Sequence, residues 1–198
     1  GKPTVKRKPG DGGYAAWAGE DWPAAGGGPD GGAAPSALGA DGDVPPAFWG
    51  EPSGLHCLDE VVRAVWEEGY SHHITRLMVL SNLATLLDVS PRALTDWFWV
   101  AYIDAYDWVV EPNVLGMGTF GAGELMTPKP YVSGAAYGDP VHDFGGASTV
   151  GPTQDCPVTP LYWAFLARRR KELDGVARMR LPLRSMEKRA PGRKGADT

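Results

Sequence analysis

The sequence predicts an all-α domain. Apolar residues recur at helical spacing in four segments, residues that start and stop helices bracket those segments, and strand signals are few. With 198 residues the chain is long enough for one domain and an appendage.

The elements follow in order. Gly, Ala and Pro supply 30 of the first 50 positions, and runs such as AAGGGPDGGAAPSALGADGD have neither helical nor strand period. Such a composition buries too little apolar surface to offset the entropy of ordering it. Residues 1–45 are therefore expected to be a disordered, low-complexity arm, with order starting near Phe48 and Trp49. A first helix, over 57–69, carries Leu58, Val61, Val62, Val65 and Trp66 on one stripe and ends on Gly69 as its cap. A second, over 72–87, has Ser71 as candidate cap and a stripe through Ile74, Leu77, Met78, Leu83, Leu86 and Leu87. Ser90-Pro91 reads as cap and first-turn proline for a third helix, over 91–109. After Pro112 the chain turns Gly- and Pro-rich for about forty-five residues, which predicts a long irregular loop. A fourth helix follows Thr159-Pro160, over 160–174, and Gly175 stops it. Residues 46–184 form the expected domain and 185–198 a basic tail.

The formal charge of −5 argues against a general polyanion binder, yet it hides an asymmetry. From Arg168 to Thr198 eleven Lys and Arg face four Asp and Glu, leaving about −12 for the rest. A basic end of this kind meets phosphate or is simply a solvated tail. The longest apolar runs fall short of the ~18 residues of a membrane span, and no signal peptide opens the chain, so a soluble cytoplasmic protein is expected. Two cysteines about a hundred positions apart make neither a disulfide scaffold nor a complete metal motif.

Half of the four histidines stand together, in YSHHITRLMVLSN. Neighbouring helical residues point about 100° apart, so His72 and His73 are poorly placed to share a metal. Both lie within one turn of Arg76, which enters an apolar helix and needs an acceptor. Asp104, in YIDAYDWV, is the candidate. An imidazole flanked by such a pair suits proton transfer; a pair that merely satisfies helix-end groups is the plainer reading. The third segment adds Trp97, Phe98, Trp99, Tyr102, Tyr106 and Trp108. Core packing explains such a cluster, and so does a wall around a planar cofactor.

Taken together, HHITRLMVLSN, DAYDWVVEPNVLGM, KPY and DCPVTPLYWAFLARRR resemble, in order and spacing, the C-terminal FAD-binding region of the cryptochrome/photolyase superfamily. The resemblance runs from about Pro46 to Arg184 and is greatest to the bacterial iron–sulfur branch that includes prokaryotic (6-4) photolyases. It implies a helical domain around a U-shaped FAD, light-driven electron donation to a pyrimidine lesion flipped from UV-damaged DNA, and hence lyase chemistry. His73, with His72 beside it, matches the histidine that assists proton transfer. Arg76 and Asp104 resemble the ion pair against the isoalloxazine. Tyr106 and Asn113 match nearby pocket positions, and Trp97 resembles the aromatic closest to the flavin.

Two departures qualify those expectations. Cys57 and Cys156 resemble the first and last cysteine ligands of the branch's iron–sulfur cluster, but Gly145 and Ser148 stand where a middle pair belongs. Neither supplies a thiolate, so loss of the cluster is expected; a different metal site from His56, Cys57, His142 and Cys156 is the weaker reading. The family's N-terminal α/β domain and phosphate-binding helices also have no counterpart here. The expectation is therefore one side of a flavin pocket, with FAD weakly held or absent unless a missing N-terminal half is supplied separately. The alternative is a non-enzymatic helical remnant that binds DNA or protein.

Overall fold

The computed structural model describes residues 36–135 and 156–189. Among these the architecture is helical, as the sequence predicts. A 3-10 turn, Pro46–Trp49, leads into α1, His56–Glu68, which ends on Gly69 at φ 67° with its N–H on the Val65 carbonyl. Three segments then run on without a break: His73–Thr75, the wider π-helical Arg76–Ser81, and Asn82–Leu86. Together they form α2. Its cap is His72 rather than Ser71: the imidazole Nδ1 accepts the Ile74 N–H at 3.2 Å, while Ser71 Oγ bonds the Tyr102 hydroxyl at 2.7 Å.

Helix α3 spans Pro91–Ala101, and the Ser90 hydroxyl accepts the Ala93 N–H as a cap should. The expected helix to Val109 is not continuous. It stops at Tyr102, whose backbone is extended, and resumes as Asp107–Val110 and the π-helical Glu111–Gly118, which together make α4. The break is a tertiary effect: the Ile103 N–H is drawn to the Gly69 carbonyl at 2.9 Å, and Asp104 turns to meet Arg76. Nor does the loop begin at Pro112, because α4 carries on through it to Gly118. A widened turn relieves the clash between a proline ring and the preceding turn that a regular α-helix would suffer.

The expected fourth helix is two, α5, Val158–Arg168, and α6, Arg170–Leu173. A further helix, α7, Arg180–Lys188, crosses residue 185, where the tail is expected to start, and buries Leu183 and Met186. Within the expected arm, Leu38 is buried and Gly42 pairs its backbone with Asp88 and Ser90.

These helices close one core. Val61, Val62 and Val65 of α1, Leu80, Leu83 and Leu86 of α2, Leu94, Trp97 and Phe98 of α3, and Phe165 and Leu166 of α5 are all buried in it. Each large apolar side chain removed from water contributes about 1.5–3 kcal/mol. Phe48 anchors the entry: its carbonyl accepts the indole N–H of both Trp66 and Trp97, each at 3.0 Å.

Candidate functional site

The π-helical stretches of α2 and α4 pack against each other. Such widened turns are rare and are frequently found at functional sites. Here they frame a cleft of about 80 Å³ lined by His73, Arg76, Leu77 and Ser81 on one side and Val109, Val110, Asn113 and Val114 on the other, with Phe98 at its base.

At its edge Arg76 reaches Asp104 in a bidentate pair, Nη1 to Oδ1 at 3.1 Å and Nη2 to Oδ2 at 2.9 Å. Its Nε donates to the Ser71 carbonyl at 2.8 Å, which fixes the plane of the guanidinium. Its Cζ lies 4.2 Å from the Tyr102 ring centre and 5.0 Å from that of Tyr70. Tyr102 in turn stacks on Phe98 at 4.8 Å. Burial of Tyr102 pushes its hydroxyl up to about 12, against the opposing pull of the Ser71 hydrogen bond and the Arg76 charge.

The sequence-derived residues therefore divide. His73, Arg76 and Asn113 line the cleft, and Asp104 joins it through Arg76. The Asn113 amide donates to the Val109 carbonyl at 2.7 Å, leaving its own carbonyl as the acceptor it can offer. His72 is spent on capping α2. Tyr106 stands half-exposed and stacks on Trp108, ring centres 4.9 Å apart. Trp97 is a core residue, 1% exposed, separated from the cleft by Phe98, whose ring lies edge-on to it at 5.2 Å. Sequence reasoning missed Ser71 as part of the site, and it named Phe98 and Tyr102 only within an aromatic cluster that core packing also explains. The signal for Tyr102 was its position two residues before Asp104, in a stretch read as continuous helix.

Cys57 and Cys156 are free, and burial pushes the Cys57 thiol up, with Cys156 adding to the effect from nearby. Gly145, Ser148 and His142 lie outside the described residues. Among the described residues no group of three or more His, Cys, Asp or Glu is placed to hold a metal ion, and no helix is long and apolar enough to cross a membrane.

No family model matches the chain. Over 147 residues, 72% of its length, it is 35% identical to a (6-4) photolyase of Agrobacterium fabrum, and the match covers 29% of that protein. It is also 37% identical over 60 residues to an uncharacterized protein of Acanthamoeba polyphaga mimivirus, 30% of this chain and 49% of that one. The chain thus spans less than a third of the first relative and about half of the second.

Proposed function

We propose, on the premise of the place in the photolyase/cryptochrome family that the 35% identity over 147 residues supports, that this chain builds the isoalloxazine side of an FAD pocket for light-driven repair of UV-damaged DNA. The observation that carries the reading is the bidentate Arg76–Asp104 pair, held at the edge of a cleft between two π-helical segments. Phe98, Val109, Val110 and Val114 give that cleft an apolar wall suited to a planar ring, while Arg76, His73 and the Asn113 carbonyl supply polar edges. These residues fit the edge of a flavin ring. They do not fit a whole dinucleotide, for which about 80 Å³ is too small.

Bound FAD would supply light absorption and the transferable electron. The chain's own part is to hold and exclude. Arg76 places a fixed positive charge beside the ring, and Asp104 with the Ser71 carbonyl keeps it from turning away. The apolar wall keeps water from one side. His73, exposed at the cleft rim, is placed to pass a proton to or from a lesion held there. From Phe98 an aromatic path leads outward through Trp97 to Trp66, 6.4 Å on, and to half-exposed Trp49 after a further 5.9 Å. Contacts this short would let an electron step between the cleft and the surface.

Titration of FAD into the pure chain, followed by flavin fluorescence, tests the reading. Affinity weaker than micromolar is expected from the chain alone, since losing two charge-assisted phosphate contacts costs on the order of a hundredfold. Adding the remainder of the photolyase fold in trans should tighten it, and Arg76→Ala should undo the gain. Binding that ignores Arg76→Ala, or no binding under either condition, would sink it.

A second reading rests on α7. Arg180, Arg184 and Lys188 recur on one face, exposed and without an ion pair among the described residues. That face suits nucleic-acid phosphate with no cofactor at all.

A further inference from the structure

A second cavity, of about 480 Å³, lies between the Pro46–Trp49 turn and α1, away from the cleft. Its walls include the indoles of Trp49 and Trp66, 5.9 Å apart and tilted by 30°. The Trp66 N–H is tied to the Phe48 carbonyl, yet the residue remains 40% exposed, and Trp49 is 53% exposed. One indole is thus fixed before anything binds, and both leave apolar surface open.

The charge around them is one-sided. Glu51, Asp59, Glu60 and Glu67 line the groove, and Arg63 is the cation among its lining residues. Arg63 is already spanned by Glu60 at 2.7 Å and Glu67 at 2.6 Å. Asp59 accepts the Ser53 N–H and hydroxyl. The Glu51 carboxylate makes no hydrogen bond or ion pair among the described residues. Charge repels an anion from such a groove. A neutral ring would gain only the indoles, whereas an organic cation gains both indoles and carboxylates.

The acids also have a length. Asp59 to Glu67 is eight residues of helix, about 12 Å at 1.5 Å per residue. That span is longer than one small amine needs and has room for two alternate side chains of an extended peptide, which stand about 7 Å apart. Arginine fits best, since its planar guanidinium stacks on indole and forks onto carboxylate at once.

We propose that this groove receives the arginine side chains of a basic peptide segment from a partner protein. The inference does not depend on the flavin reading. The test titrates the full chain with a Gly-Arg-Gly-Arg-Gly peptide, its citrulline counterpart and spermidine, following the Trp49 and Trp66 indole N–H signals by NMR. The arginine peptide should shift both signals and bind at least tenfold more tightly than the citrulline one. Glu51→Gln and Trp49→Ala should each weaken it threefold or more while leaving the unfolding midpoint unchanged. Equal binding of both peptides, or indifference to both substitutions, would overturn the proposal. Spermidine binding as tightly as the arginine peptide would overturn the peptide as occupant.

Discussion

The guanidinium of Arg76 is held by a carboxylate, a backbone carbonyl and two tyrosine rings. Its side chain is 15% exposed and that of Asp104 is 40% exposed, so the pair is only half withdrawn from water. Breaking a fully buried pair costs about 3–5 kcal/mol. Here water and the Ser71 carbonyl compensate, and Asp104→Ala should cost about 1–2 kcal/mol, measured by urea unfolding. Tyr102 beneath the pair gives a second expectation, at alkaline pH. Its hydroxyl is raised from 10.0 to about 12, so the folded state prefers the neutral phenol. That preference stabilises the fold fully below pH 10, the unfolded value, and is lost as pH rises through about 12. Because Tyr102 is only 2% exposed, the loss should approach about 2–3 kcal/mol. Tyr102→Phe, compared with the parent by thermal melting from pH 9 to 12, should lack this component of the alkaline decline. The partners of Arg76 were only partly legible in the sequence. An arginine on an apolar helix announces the need for an acceptor, and Asp104, in YIDAYDWV of the next segment, was the candidate. The two rings and the Ser71 carbonyl depend on where the chain bends, which residue types alone do not state.

At the scale of elements, the helix boundaries set by local capping chemistry at Gly69 and Ser90 were legible and the interruptions were not. Ser90-Pro91 and Gly69 act through local chemistry, a hydroxyl on a free N–H and a left-handed backbone at φ 67°, so short-range sequence identifies them. The break after Ala101 arises from Gly69 and Arg76, some thirty residues away in sequence, and DWFWVAYIDAYDWV contains no Gly or Pro to mark it. The π-helical turns are equally silent, because they reflect how α2 and α4 fit together. Gly118 shows how tightly they fit. A Cβ there would lie 2.7 Å from Ser81 Oγ and 3.0 Å from Ser81 Cβ, with the Asn113 carbonyl at 3.2 Å. Gly118→Ala must therefore push the two segments apart, at about 1–3 kcal/mol. Adding Ser81→Gly should recover most of that loss in a denaturant titration, since it removes the two closest atoms. If the double variant is no more stable than Gly118→Ala, the two helices do not meet at this point.

Across the whole molecule, the opposition between an acidic body and a basic end is partly used up in holding the two together. Asp88, in a left-handed conformation just beyond α2, takes Arg168 and Arg169 on its two carboxylate oxygens, each at 2.9 Å, and Arg168 also reaches the Leu86 carbonyl at 2.7 Å. Arg170 is paired with Glu187. The cations left facing solvent on α7 are Arg180, Arg184 and Lys188, one turn apart and spanning about 12 Å. If that face meets DNA, three phosphate contacts release counterions with a slope of about −2.7 in log affinity against log salt. Anisotropy of a labelled duplex between about 50 and 200 mM salt measures the slope, and Arg180→Ala with Arg184→Ala should reduce its magnitude by about 1.8. Phosphate contacts carry no information about the bases, so this part of the binding should be equal for intact and UV-irradiated duplex. On the proposed reading any preference for the irradiated strand comes from the cleft, and should vanish with His73→Ala or Arg76→Ala while the salt slope stays as it was. A slope that the α7 substitutions leave untouched would assign the DNA contact to another face and leave α7 as a helix whose role is to cover the core through Leu183 and Met186.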